Sequence, residues 1–117
     1  MPGVSIHVVD VARGTVAAGM RAEVFALAAD GARRLLARGA LSSKGTLEDP
    51  ALAAALGAGT YEAVLRVGDY YRQTGVPLPP IPFLDMVCYR FGIADPSEHT
   101  HLPFKCTPWG YSCFRGA

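Results

Sequence analysis

The chain has 117 residues, half of them hydrophobic, and 11 Lys plus Arg against 10 Asp plus Glu give a formal net charge of +1. A chain of this length buries roughly two thirds of the surface its unfolded form exposes, so a single domain over residues 1–117 is expected, with no need of disulfides or metal. Near-neutral charge with no basic run beyond Arg33-Arg34 argues against a nucleic-acid partner, and the longest apolar stretch, 50–59, is about half of the roughly 20 residues that a membrane span requires.

In chain order, Val4-Ser5-Ile6-His7-Val8-Val9-Asp10 alternates as a strand, with Val4, Ile6 and Val8 on one face and Ser5, His7 and Val9 on the other. Gly14 supplies a turn, and residues 21–28 form the next predicted strand. Asp30-Gly31 is a hairpin signal, because this pair tolerates the positive φ of a tight turn, and 33–41 is the returning strand. Asp49-Pro50 at the start of an alanine-rich segment and Gly57 after it predict a short helical turn. Residues 60–67 alternate again, with Tyr61, Ala63, Leu65 and Val67 opposed by Glu62, Val64 and Arg66. In 68–75, Asp69 as cap and Gly75 as stop predict one or two helical turns, with Tyr70-Tyr71 facing the core.

Pro77, Pro79, Pro80 and Pro82 make an extended connector of the next segment, since residues without an amide hydrogen serve neither helix nor ladder. Residues 86–93 are a strand, 95–98 turn the chain, and 99–107 with 111–117 form a terminal hairpin around Pro108-Trp109-Gly110. Seven or so short strands separated by turn residues predict a β-sandwich. Met1-Pro2-Gly3 leads directly into strand-like sequence without a basic and apolar leader, and Cys88, Cys106 and Cys113 are odd in number without Cys-x-x-Cys spacing. Both features predict a cytoplasmic protein whose thiols are reduced and fill the core.

His7, His99 and His101 are the residues with chemical potential. On a strand, His99 and His101 point to one face. With His7 they could make a three-nitrogen metal site, but no third ligand is local in sequence. The expectation is therefore cofactor-free and metal-free chemistry in which a histidine pair activates water, an imidazole being a natural general base at neutral pH.

The segment running from His7-Val8-Val9-Asp10 to Ala17-Ala18-Gly19, together with His99-Thr100-His101-Leu102-Pro103 and the terminal Ser112-Cys113-Phe114-Arg115-Gly116-Ala117, resembles the signatures of the transthyretin-related family. Gly68-Asp69-Tyr70-Tyr71 and Arg90-Phe91-Gly92-Ile93 extend the likeness along the chain. The family's enzymes are 5-hydroxyisourate hydrolases of urate breakdown. The resemblance implies an all-β, transthyretin-like two-sheet sandwich of about eight strands with one short helix. It also implies a homotetramer built as a dimer of dimers, with active sites in a channel at the dimer–dimer interface and a small-molecule substrate.

Carried over position by position, His7 and His101 match the family's catalytic histidines. Thr46 follows Gly45 where the family has arginine, and the terminal tetrapeptide keeps Arg115 and Gly116 but has Phe114 for tyrosine and Ala117 for serine. Phe104-Lys105-Cys106-Thr107 replaces a Leu-Leu-Leu-Ser segment, and by period two Lys105 shares the face of His101. The expected catalytic set is His7, His101, Lys105 and Arg115, with Thr46, His99, Ser112, Phe114 and Gly116 contacting substrate. Hydrolytic ring opening is the leading reading. A repurposed enzyme using Lys105 as an amine nucleophile and a non-enzymatic ligand carrier are the alternatives; His7 and His101 speak against the carrier.

Overall fold

The computed structural model describes residues 2–117. β1 (Val4–Asp10) alternates in burial as its sequence alternates, with Val4, Ile6 and Val8 in the core. β2 (Thr15–Val16) turns back onto it and is too short to show a period. β3 (Arg21–Leu27) and β4 (Arg33–Ala40) form the hairpin expected around Asp30-Gly31: Gly31 sits at φ 87°, and Asp30 Oδ1 accepts the Ala32 amide at 2.9 Å. α1 (Pro50–Ala53) is capped by Asp49, whose carboxylate accepts from the Ala51 amide at 3.0 Å.

β5 (Gly59–Leu65) keeps the expected alternation of direction, but both of its faces are covered. Glu62 is buried because Arg33 at 3.0 Å and Arg90 at 3.1 Å close over its carboxylate. α2 (Val67–Gln73) begins earlier than the Asp69 cap predicts, with Arg66 at the cap position and Asp69 inside the first turn. The reason is tertiary: the Gly68 amide donates to the carbonyl of Asp85 at 2.8 Å, so the proline-rich connector satisfies the helix start. Among the described residues there are thus two short helices, both where the sequence places helical turns and one more than the family resemblance implies.

β6 (Val87–Ile93), β7 (Thr100–Thr107) and β8 (Gly110–Cys113) complete two four-stranded sheets, ordered β2-β1-β7-β8 and β4-β3-β5-β6. β8 stops at Cys113 although a strand through 117 was predicted. The register of the pair continues, since Phe104 faces Cys113 and His101 faces Gly116, so Pro103 stands opposite Phe114. Proline has no amide hydrogen for the ladder, so regular pairing stops at that position and returns only as the isolated bridge between His101 and Gly116. Among the described residues β2, which the sequence reads as a turn, raises the seven or so strands read from alternation to the eight that the resemblance implies. Of the cysteines, Cys106 is core as expected, whereas Cys113 is half-buried and Cys88 exposed. Among the described residues, no helix is long and apolar enough to cross a membrane.

A second acid, besides Glu62, is buried within the core. Asp10 is inaccessible to solvent and accepts from Tyr70 Oη at 2.8 Å and from the Arg13 amide at 3.1 Å. Tyr71 Oη lies 2.7 Å from the same carboxylate and 2.9 Å from the Cys106 carbonyl, and burial followed by Asp10 pushes its phenol far above the usual range. This network ties β1 to α2 and β7. Asp10→Ala takes the acceptor from the Tyr70 hydroxyl and from the Arg13 amide and leaves Tyr71 only the Cys106 carbonyl, and a loss of about 3 kcal/mol is expected at roughly 1–3 kcal/mol for each stranded group. Urea unfolding measures it, and a loss below about 1 kcal/mol would show that the network carries little stability.

Candidate active site

β1 and β7 lie side by side and parallel, with Ser5 opposite His101, His7 opposite Pro103 and Val9 opposite Lys105. Period two then gathers Ser5, His7, His101, Pro103, Lys105 and Thr107 on the outer face of one sheet, and none of these side chains is fully buried. Ser5 Oγ lies 2.6 Å from His101 Nδ1 and 2.8 Å from His99 Nε2, and His99 Nδ1 is 3.3 Å from the carbonyl of Pro2. His99 and His101 therefore converge, as their spacing predicted, but on a serine that sequence reasoning left out. The available signal was that Ser5 shares a strand face with His7; the missing one was which strand β1 pairs with.

Thr46 is clamped beside His7. Gly45 adopts φ 76°, and a Cβ there would stand 2.7 Å from Val16 Cβ and 2.9 Å from the carbonyl of Val8, whose amide donates to the Gly45 carbonyl at 2.9 Å. Only glycine allows the 42–46 loop to sit this close to β1, and Thr46 then bridges to His7. The Thr46 hydroxyl is 3.0 Å from Ser42 Oγ and donates to Glu48 Oε2 at 3.0 Å. Hydrogen bonds from Ser42 and Thr46 hold the Glu48 carboxyl below its usual range. Where the family resemblance implies a permanently charged fork, this chain places a neutral hydroxyl tied to a carboxylate.

Gly116 closes the other side. Its amide donates to the His101 carbonyl at 2.8 Å, and a Cβ would fall 2.7 Å from His101 Cδ2 and 3.2 Å from Pro103 Cδ. The imidazole is thus fixed between Ser5 and a glycine. Burial lowers the His101 pKa, and the neighbouring positive charge of His7 and His99 lowers it further, which favours the neutral ring.

The other predicted residues stand further off. Lys105 and its cross-strand partner Ser112 share the face but lie four residues along β7 from His101, about 13 Å of strand. Phe114 is exposed opposite Pro103. Arg115 alternates to the other side of the chain from Phe114 and Gly116, and its guanidinium donates to Glu98 at 3.4 Å, both side chains being 62% exposed. Among the described residues no three His, Cys, Asp or Glu side chains are grouped so as to hold a metal ion.

Two four-stranded sheets, with a histidine pair on the open face of one of them, define a transthyretin-like sandwich equipped for proton transfer. The model of the HIUase/Transthyretin family matches residues 4–116, and the chain belongs to that family. It is 42% identical over 112 residues to 5-hydroxyisourate hydrolase 2 of Rhizobium meliloti, covering 95% of this chain and 92% of that protein. Among solved structures, an (S)-allantoin synthase is 31% identical with a TM-score of 0.86 over 98% of this chain; this chain spans only 43% of that longer one. The 5-hydroxyisourate hydrolase of Klebsiella pneumoniae is 27% identical with a TM-score of 0.77, each chain being covered in full.

Proposed function

We propose that this chain is a cofactor-free hydrolase of small cyclic ureides, with 5-hydroxyisourate, the compound named for its relatives, as its substrate. The observation that carries this reading is the pair His7 and His101 on adjoining strands of an uncovered sheet face, with His101 biased toward its neutral form. A water held by the two imidazoles gives a proton to His101 as its oxygen adds to a ring carbonyl. The tetrahedral oxyanion then collapses, the ring C–N bond breaks, and the proton passes to the departing nitrogen.

Charge stabilisation falls to Arg115 and Lys105, with Thr46, His99, Ser112, Phe114 and Gly116 shaping the substrate site. The ion pair of Arg115 with Glu98 is too exposed to hold the guanidinium away from an arriving anion. We infer a homotetramer, a dimer of dimers in which two such faces close a channel, and a place in purine breakdown in the cytoplasm. The open edges of β6 and β8 and the exposed Trp109, Tyr111 and Phe114 support the assembly. Three unpaired cysteines support a reducing compartment.

The test is direct. Freshly generated 5-hydroxyisourate should disappear faster with micromolar protein than without it, and an unchanged rate overturns the assignment. Lys105→Met is expected to raise KM about tenfold or more, the worth of one hydrogen bond to a charged group, while leaving the fold intact. An unchanged KM would remove Lys105 from the site.

A further inference from the structure

We propose that Ser5 is a positioning residue that fixes the tautomer of His101, so that the Nε2 lone pair of this ring is the one presented to solvent and substrate. The consequence for catalysis rests on the hydrolase reading; the assignment itself rests on hydrogen-bond directions alone.

The direction is set at the far end of the chain of contacts. The Pro2 carbonyl can only accept, so His99 Nδ1, 3.3 Å away, carries a hydrogen. In the neutral imidazole the other nitrogen, Nε2, is then a lone pair, and among the described residues the donor that reaches it is the Ser5 hydroxyl at 2.8 Å. A hydroxyl has a single proton. With that proton given to His99, Ser5 Oγ meets His101 Nδ1 at 2.6 Å as an acceptor, and His101 must hold its hydrogen on Nδ1. The His101 Nε2 is thereby left unprotonated, which is the state a general base needs.

Two further features keep the relay in this sense. Reversing it would set a lone pair of His99 Nδ1 against the lone pairs of the Pro2 oxygen. Rotating the His101 ring by half a turn would exchange Nδ1 with Cδ2, breaking the bond to Ser5 and placing a polar nitrogen where Cδ2 now packs against Gly116. The role resembles that of any group that orients a catalytic imidazole through its second nitrogen, here filled by a serine and a second histidine in series.

Long-range proton–nitrogen correlation spectra of the nitrogen-15-labelled protein test this, recorded at about pH 8, above the ordinary imidazole range of about 6.5. The expected spectrum shows His101 with a protonated Nδ1 and an unprotonated Nε2. Ser5→Ala should convert it to a mixture of tautomers within an otherwise unchanged spectrum, and Ser5→Thr, which keeps the hydroxyl, should restore it. With 5-hydroxyisourate, kcat of Ser5→Ala is expected to fall about 10- to 100-fold, part of the 10²–10⁴ that a positioned base supplies, with KM little changed and recovery in Ser5→Thr. His101 protonated on Nε2 in the unaltered protein, or a tautomer indifferent to Ser5→Ala, would overturn the proposal. The spectra need no substrate, so a protein with the expected tautomer that fails to open the ring refutes the hydrolase reading and leaves the role of Ser5 standing.

Discussion

His101→Ala is expected to lower kcat for ring opening by about 10²–10⁴-fold, the range that a positioned general base contributes. The variant keeps the strand, because position 101 lies on the outer face and its backbone carbonyl still accepts from Gly116. His101→Gln should be equally poor, since an amide can occupy the space and hydrogen-bond but cannot take up a proton at neutral pH. His7→Ala is expected to fall within the same range, as the second member of the pair that holds the water.

The pH dependence carries a sign. His101 must be neutral to accept a proton, and burial, then the charge of His7 and of His99, depress its pKa from the ordinary 6.5. Activity should therefore be present above that depressed value and be lost only as pH falls through it, placing the acid limb of kcat/KM below about 6.5. An acid limb above that value, or retention of more than a tenth of the activity in His101→Ala, would take proton transfer away from this residue.

Gly116→Ala is expected to reduce activity about 100-fold while leaving the unfolding midpoint nearly unchanged. The conflict is one of contact: the added methyl would lie 2.7 Å from His101 Cδ2, closer than carbon atoms approach. Either the imidazole turns from Ser5 or the terminal segment lifts from β7. A displacement of roughly 1 Å at a catalytic group suffices for a loss of this size. The stability should barely respond, because the segment beyond Cys113 is attached by one bridge outside the ladder. Undiminished turnover in Gly116→Ala would show that the ring is not held by the terminus, and measured kcat with a denaturation curve on the same sample decides it.

The local elements were legible in the sequence because their causes are local. Period two in residues 4–10 reports a strand with one buried face, Asp30-Gly31 reports a turn that needs positive φ, and Gly75, at φ 83°, ends α2 where the sequence placed its stop. Failures came where a distant group supplied what the local sequence lacked. Asp85 satisfies the start of α2, two arginines bury Glu62, and Pro103 interrupts a partner strand that by itself reads as continuous.

The candidate site divides in the same way. Sequence by itself determined that His7 and Ser5 share a face and that His101 and Lys105 share another, since alternation along a strand follows from backbone geometry. Only the tertiary structure decided that those two faces are one. Parallel pairing of β1 with β7 joins residues 94 and 96 positions apart, making Ser5 the link between His99 and His101. It also sets Thr46 against His7 and Gly116 against His101, and turns Arg115 away toward Glu98. Which strands become neighbours depends on burying the apolar faces of the whole chain at once. No period within one segment encodes that choice.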